Sequence, residues 1–472
     1  MEVHMKPSPF FKKFIGTKAF YKMALAVALP IMIQNGITQF VGLLDNLMVG
    51  RVDTVQMTGV AISNQLIFVF NLAIFGAISG AGIYGAQFFG RGDEEGVRHA
   101  FRYKLVICGA LLLLGCGIFI FFGEDLIRMY LKGEGELENI EASLYYAKEY
   151  LYIVMIGLLP YVVAQCYAGT LRECGQTMLP MVAGVISVFV NLIWNAILIF
   201  GLLGFPALGA TGAAIATVLS RFVEAGIIVI CAHRKKAGNT FLVGAYRSLR
   251  IPGKLFGQIT AKTLPLLLNE TMWAGGMAML SQRYSLMHFD VVPAHNICST
   301  VSNVFNVAFL AMGTAIGIIV GQLLGANKLE EAKDTDRKLI TFSVSICFVI
   351  GGVMALVAPL IPQLYNTTDA IRELATKMLI ISALVMPINS LANACYFTMR
   401  SGGKTFITFL FDSVYVWVFL IPLCWALQTF TALPIIPIFL ICQFADIGKG
   451  IIGLILIRKG VWIQNIVAKE NA

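Results

Sequence analysis

Residues 29–52 of the chain read LPIMIQNGITQFVGLLDNLMVGRV. The run is predominantly apolar and exceeds the roughly 20 residues that a helix needs to cross a bilayer. Pro30 lies near its start and a single carboxylate, Asp45, lies near its end. Neighbouring helices can accommodate a Pro in a membrane helix, whereas a charged side chain inside a span is costly and marks a candidate site. The run therefore predicts a membrane helix that carries a functional carboxylate.

Similar apolar runs fill the rest of the chain. Of its 472 residues, 58% are hydrophobic and 13% are charged, against about 25% charged residues in soluble domains. We therefore predict an all-α integral membrane protein with twelve transmembrane helices. The predicted spans are 23–49, 57–89, 103–122, 150–171, 179–203, 209–232, 262–287, 294–324, 339–361, 375–399, 405–427 and 434–457.

The two halves of the sequence resemble each other. One shift of 235 residues (29 to 264) aligns several positions, and a shift of 228 residues (171 to 399) relates residues 171–177 to 399–405. A duplicated unit with an even number of spans enters the membrane from the same side each time. We therefore expect two parallel six-helix lobes related by a pseudo-two-fold axis along the membrane normal. The matched positions are Leu29-Pro30 with Leu264-Pro265, Phe70-Asn71 with Phe305-Asn306, Gln87 with Gln322, Gly90 with Gly325, and Arg102 with Arg337.

Charge and composition divide the chain into five predicted segments. These are a cytoplasmic amphipathic segment at 1–22, an N-terminal lobe at 23–232, a basic cytoplasmic linker at 233–261, a C-terminal lobe at 262–457 and a cytoplasmic tail at 458–472. Most of the 35 Lys and Arg residues fall on the side of the N-terminus, so the positive-inside rule places both termini in the cytoplasm. The opposite side carries Arg51, Arg128, Lys132, Lys148, Arg283, Arg372 and Lys377.

Composition disfavours three other classes of protein. The formal net charge of +9 follows the membrane topology, so we expect no nucleic-acid partner. A membrane enzyme should carry a nucleophile or metal constellation, but the five His residues lie at termini and loop edges and the ten Cys residues lack metal-ligand spacing. A channel is disfavoured because no stretch resembles a selectivity-filter loop.

Three further stretches carry a family resemblance. The run at 29–52 resembles the first span of multidrug and toxic compound extrusion (MATE) transporters. QFFGRGDEEGVRHAFR (87–102) and QLLGANKLEEAKDTDRK (322–338) look like the Gln-x-x-Gly-Ala loops of that family, and NLIWNAILIFGLLGFPALGATGAAIATVLS (191–220) is similar to its fifth-to-sixth span hairpin. The resemblance covers essentially the whole chain.

The resemblance implies a function. Such a protein would have a central cavity between its lobes and would export organic cations or drug-like compounds while Na⁺ or H⁺ enters. We would then expect no cofactor, a small-molecule substrate, a monomer, and a location in the plasma membrane of a bacterium.

In the first lobe, Asp45 matches the coupling Asp of the family. A carboxylate in a dry helix can hold a proton or a hard cation such as Na⁺. Asn191 and Asn195 are four residues apart and share one helix face, and Thr217 offers a hydroxyl. We predict that these residues couple cation entry, with Asp45, Asn191 and Asn195 as metal ligands if the ion is Na⁺. Many family members have Asp where Asn195 stands, so the choice of ion stays open.

In the second lobe, Glu270 occupies the position equivalent to Asn35 and matches the span-seven Glu of the family. We predict that it binds the driving cation or a cationic substrate. Asn389 stands where the family often has an Asp, so a complete carboxylate pair is missing. The plainer alternative for Asn191 and Asn195 is that these amides only join helices, which is worth about 0.6 kcal/mol on average; for Glu270 it is a structural pairing.

The substrate surface is predicted from polar and aromatic residues of the spans. Amides would orient a substrate, and rings would stack on its cation. Two further pairs, Arg221 with Glu224 and Lys449 with Asp446, are three residues apart and could neutralise each other. The candidate substrate-binding residues are Gln34, Asn35, Gln65, Trp273, Asp412 and Tyr415.

A flippase for lipid-linked sugars is the alternative transporter function. Its cavity should be strongly cationic in order to bind phosphates. The mid-span residues here are more acidic than basic, which disfavours it.

Overall fold

The computed structural model describes residues 13–50, 54–131, 137–234, 238–288, 290–365 and 367–468. Long α-helices joined by short turns make up nearly all of this part of the chain. The helices are α1 (Lys18–Gly50), α2 (Thr54–Arg91), α3 (Glu94–Leu131), α4 (Leu137–Ile156), α5 (Leu158–Glu173), α6 (Met178–Phe200), α7 (Gly209–Ala232), α8 (Gly253–Ser285), α9 (Val291–Gly325), α10 (Leu329–Val357), α11 (Asp369–Ser401), α12 (Thr405–Phe430) and α13 (Ile435–Arg458).

The described helices account for ten or eleven of the twelve predicted spans. Ten of them are long and apolar enough to cross a membrane, and the pair α4 and α5, bent by 48°, gives an eleventh if it forms one span. The bend occurs where Pro160 cannot donate a backbone hydrogen bond, which breaks a continuous helix. Helix α8 contains most of the predicted span 262–287 but is more polar, since Lys254, Lys262, Glu270 and Arg283 lie within its 33 residues, so the twelfth span stays a prediction.

The helices extend beyond several predicted spans. Residues 103–122 were expected to cross, but α3 runs from Glu94 to Leu131, and the fourth span begins at α4 and not at residue 150. Helical hydrogen bonding continues past the apolar core of a span, so hydropathy alone places the ends of such helices poorly. Pro30, Pro265 and Pro387 all lie inside helices.

The chain forms two compact units. One contains Ile33–Gly85 and Glu94–Leu267; the other contains the described residues of Met1–Met32, Ala86–Asp93 and Leu268–Ala472. We call them unit A and unit B. Their boundaries fall inside α1, after Met32, and inside α8, after Leu267, which are 267 − 32 = 235 residues apart. This separation equals the repeat shift, so the first helix of each repeat is divided at the same place. The six-helix lobe boundaries themselves stay a prediction.

The two Gln-x-x-Gly motifs pack against each other within unit B. A Cβ on Gly90 would collide with the backbone of Gln322, and a Cβ on Gly325 would collide with the backbone of Gln87. The side chain of Gln87 also donates to the carbonyl oxygen of Ser401 at 2.9 Å. Close backbone approach therefore requires glycine in both copies of the motif.

Large apolar side chains cover much of the surface. Leu113, Phe121, Phe348 and Val418 are 77%, 78%, 73% and 70% exposed. Exposed apolar surface on this scale is typical of helices that face lipid. Eight of the ten cysteines are buried and all ten are free thiols, as expected of small buried apolar residues.

Candidate functional site

In unit A the structure brings together three predicted coupling residues. The Nδ2 of Asn195 donates to Oδ1 of Asn191 at 3.2 Å, and the Nδ2 of Asn191 donates to Oγ1 of Thr217 at 3.5 Å. Both asparagines are buried, at 7% and 1% exposed. The i,i+4 spacing on α6 places both amides on the face that packs against α7, where their oxygens can serve as neutral ligands.

Asp45 was predicted as the carboxylate of this cluster. It lies on α1, but its side chain falls outside the described part of the structure. Its role therefore stays a prediction.

In unit B, Glu270 is joined to a hydrogen-bonded chain that crosses three helices. Tyr396 of α11 donates its hydroxyl to Oε1 of Glu270 at 3.3 Å. The Nδ2 of Asn269 donates to the Tyr396 hydroxyl at 3.3 Å and to Oδ2 of Asp412 on α12 at 3.1 Å. The Oδ1 of Asn269 accepts from the hydroxyl of Ser413 at 2.7 Å. We call Glu270, Tyr396, Asn269 and Asp412 the carboxylate network.

The network ends at a buried basic residue. Lys449 of α13 forms an ion pair with Asp412, whose side chain is 18% exposed. The sequence spacing had suggested Asp446 as the partner of Lys449. The charge of Asp446 does interact with Lys449 and Asp412, but the direct ion pair is made by Asp412. The predicted substrate-binding carboxylate is therefore neutralised within the protein.

Helix α12 departs from regular geometry where it joins the network. Residues Leu410–Val414 and Val416–Leu420 form π-helical turns. Asp412 and Ser413 lie in the first of them. Single π-helical turns are rare and occur frequently at functional sites, so this segment is specifically shaped around the network.

A repeat-related arginine lies beside the same position of each repeat; Arg400 is buried and Arg172 is half-buried. In unit A, Nη2 of Arg172 donates to Oε1 of Gln34 at 2.7 Å. In unit B, Arg400 interacts electrostatically with Glu270 and hydrogen-bonds Tyr396. The shift of 228 relates Arg172 to Arg400. The similarity of residues 171–177 to 399–405 is visible in the sequence, but neither arginine was among the predicted site residues.

Unit A contains a buried ion pair that was not predicted from the sequence. Lys104 is 0% exposed and lies 2.6 Å from Oε2 of Glu173; its Nζ also donates to the Thr170 hydroxyl at 2.9 Å. Lys104 lies at the start of the predicted span 103–122 and was not among the predicted site residues. The only available signal was the pair Gly82 and Gly85, whose missing side chains leave room for the Glu173 carboxylate.

The remaining predicted substrate-binding residues are divided between the two units. Gln34, Asn35 and Gln65 belong to unit A, where Gln34 is buried and Gln65 exposed, whereas Trp273 and Tyr415 belong to unit B. The Tyr415 hydroxyl donates to the carbonyl oxygen of Ala445 at 2.6 Å. Their part in substrate binding stays a prediction.

Asn389 has a carbonyl group without a partner. Its Oδ1 is buried, and no hydrogen bond to it occurs within the described residues; the same holds for Oδ1 of Asn393, one turn further along α11. Two unsatisfied buried oxygens on one helix face are costly unless a ligand or water satisfies them. Amide oxygens of this kind suit a hard cation.

A family model for MatE matches the chain twice, over residues 30–197 and 269–426. The chain is 24% identical over 456 residues to "Probable multidrug resistance protein NorM" of Thermotoga maritima, covering 94% of each protein. It is 25% identical over 385 residues to the Pasteurella multocida protein of the same name, covering 79% of each.

Solved structures share the fold. The Vibrio cholerae MATE transporter VcmN superposes with a TM-score of 0.85 at 16% identity, covering 96% of this chain and 99% of that one. An outward-facing multidrug resistance MATE family transporter superposes with a TM-score of 0.82 at 18% identity, covering 97% and 98%.

Proposed function

Because the chain belongs to the MatE family of membrane transporters, we propose that it exports organic cations or drug-like compounds in exchange for Na⁺ or H⁺ by alternating access. The relatives named as multidrug resistance proteins support this substrate class. As a member of a transporter family it is not an enzyme and needs no cofactor, since the coupling ion is itself transported. A lipid-linked sugar flippase is not favoured by these relatives.

The balance of charge in unit B is the observation that carries the proposal. Three carboxylates, Glu270, Asp412 and Asp446, interact with one another and with two basic residues, Arg400 and Lys449. Among the described residues of this cluster, one carboxylate charge is therefore left over. A net negative charge in a buried site binds a proton or Na⁺ readily, since an uncompensated buried charge is costly. Glu270 and Asp446 both lack a direct ion pair. Because Asp446 lies three residues before Lys449 on the same helix and interacts with its charge, Glu270 is the carboxylate that we assign to the cation.

The unit A cluster supports a second cation site. Asn191, Asn195 and Thr217 provide neutral oxygens, and we propose that Asp45 supplies the charge. An ion drives transport only if it binds the two conformations with different affinity. Neutralisation of Asp45 and Glu270 by the entering cation would provide that difference.

The proposed function also implies a location, an orientation and an oligomeric state. We place it in the plasma membrane of a bacterium with both termini in the cytoplasm, on the strength of the positive-inside distribution. We expect one chain to suffice for transport, because each repeat contains a buried polar cluster of its own.

Gradient-driven efflux tests the proposal. The purified protein would be reconstituted in liposomes, and efflux of a fluorescent organic cation measured under an inward Na⁺ gradient or an inward H⁺ gradient alone. We expect efflux to follow one of the two. Asp45→Asn should reduce the coupled rate at least tenfold while the protein remains folded. Efflux that ignores both gradients, or that is unchanged in Asp45→Asn, would contradict the proposal.

A further inference from the structure

A cavity of about 880 Å³ lies within unit B, away from the carboxylate network. Its walls are the first turns of α10, the end of α13 and the residues that follow α13 up to Ile463. All of its lining residues belong to unit B, so its shape does not depend on the arrangement of the two units.

The cavity is amphipathic. Lys333, Arg337, Arg458 and Lys459 line its polar part, and Arg337, Arg458 and Lys459 are exposed. Lys333 pairs with Glu330, whose side chain is 86% exposed. A pair this exposed is weak, so it leaves the polar part strongly basic.

The one acidic residue in the cavity wall, Asp336, interacts with the charge of Arg337 and therefore offsets only one of the four basic residues. Asp336 is 1% exposed, and its Oδ1 accepts a hydrogen bond from the Thr398 hydroxyl at 2.6 Å. The rest of the wall is mostly apolar and includes Ile340, Val344 and Leu454, with the hydroxyl residues Thr341 and Ser345 among them. The cavity therefore combines a basic rim with a hydrocarbon-like interior.

The equivalent arginine of the other repeat indicates which hydrogen-bond acceptors Arg337 of the basic rim can use. Arg102 is the repeat equivalent of Arg337, and in unit A it donates to three backbone carbonyl oxygens of the linker. The acceptors are Ala245 at 2.9 Å, Gly244 at 3.0 Å and Arg250 at 3.4 Å. In unit B, Arg337 lines the cavity and interacts with the charge of Asp336; within the described residues its side chain makes no hydrogen bond to backbone carbonyl oxygens. A ligand with several anionic oxygens would satisfy it in the same way.

We propose that this cavity binds an anionic phospholipid. Its phosphate lies among Arg337, Arg458 and Lys459, and an acyl chain runs along Val344 and Leu454. Basic pockets between membrane helices on the cytoplasmic side bind such head groups, and the proposed topology puts this end of α10 and α13 on that side. The apolar wall distinguishes a lipid from a free phosphate, which would gain nothing from it.

Lipid titration monitored by native mass spectrometry tests the proposal. The full-length, delipidated protein would be titrated with phosphatidylglycerol and with phosphatidylcholine of the same acyl chains. We expect phosphatidylglycerol to bind at least tenfold more tightly. The double variant Arg458→Gln/Lys459→Gln should weaken phosphatidylglycerol binding about 30-fold and leave phosphatidylcholine binding unchanged. The matched control Arg234→Gln/Arg247→Gln removes two exposed basic residues from unit A and should bind like the wild type.

Two further measurements distinguish a specific lipid site from non-specific electrostatic attraction. Val344→Trp should weaken phosphatidylglycerol binding by narrowing the apolar part while keeping every charge. Inorganic phosphate at the concentration of the lipid phosphate should not displace the lipid. Equal binding of the two lipids, equal losses in the two double variants, no effect of Val344→Trp, or displacement by inorganic phosphate would each overturn the proposal.

Discussion

The two repeats place different chemistry on the same scaffold. Gln34 and Asn35 of α1 occupy the positions of Asn269 and Glu270 of α8, and each pair lies beside a repeat-related arginine, Arg172 or Arg400. In unit A the arginine meets a neutral amide. In unit B the arginine interacts with a carboxylate that is linked through Asn269 to the ion pair of Asp412 with Lys449. The duplicated fold therefore preserves the position of a buried polar site, while the sequence decides whether that site can hold a cation.

The repeats also differ in how they stabilise buried charge. Unit A contains a compact ion pair, Lys104 with Glu173, which is shielded from solvent. Thr170 accepts a hydrogen bond from Lys104 of that pair. At the equivalent position of unit B, Thr398 instead donates a hydrogen bond to a carboxylate, Asp336. Buried pairs contribute little net stability, but removal of one partner leaves an uncompensated charge.

The largest effect is expected when the unit A ion pair is broken. Lys104→Met should lower the free energy of unfolding by about 3–5 kcal/mol, because Glu173 would remain buried and charged. Lys104→Met/Glu173→Gln should lose much less, since no charge is left. Denaturant unfolding in detergent measures both.

A surface pair provides the control for that experiment. Lys377 pairs with Glu373, and their side chains are 54% and 69% exposed, so Lys377→Met should cost less than about 1 kcal/mol. Equal losses in Lys104→Met and Lys377→Met would show that the unit A pair is not buried as described.

A smaller effect is expected at the end of the carboxylate network. Lys449→Met should destabilise the protein by roughly 3 kcal/mol, at the low end for a broken buried pair, because the side chains of Lys449 and Asp412 are 11% and 18% exposed. Lys449→Met/Asp412→Asn should recover most of the loss. Thermal unfolding of the purified variants measures this.

Unit A offers the matched comparison for Lys449. Arg221 stacks on the Tyr161 ring at 5.0 Å and interacts with Glu224, which also interacts with Arg172. Arg221→Met leaves Glu224 with one basic neighbour, Arg172. It should therefore lower the stability of the protein less than Lys449→Met. The reverse order would mean that the two units do not differ in the way described.

Much of the fold could be predicted from the sequence, because hydropathy and internal similarity are properties of segments. The i,i+4 spacing of Asn191 and Asn195 was enough to predict that they share a face. The partner of Lys449 could not be predicted this way, since Asp412 is 37 residues away on another helix and local spacing favoured Asp446. Asn269 and Tyr396 were missed because neutral residues that connect carboxylates carry no signal of their own. Lys104 was missed because a basic residue near a span end is normally solvated.

The most direct test of the central claim is to count the cations that the purified protein binds. Bound ²²Na⁺ and proton uptake would be measured for the wild type, Glu270→Gln and the exposed control Glu331→Gln. If the surplus carboxylate of unit B holds the driving ion, Glu270→Gln binds one cation fewer than the wild type, while Glu331→Gln binds the same number. An unchanged number of bound cations in Glu270→Gln would contradict the account.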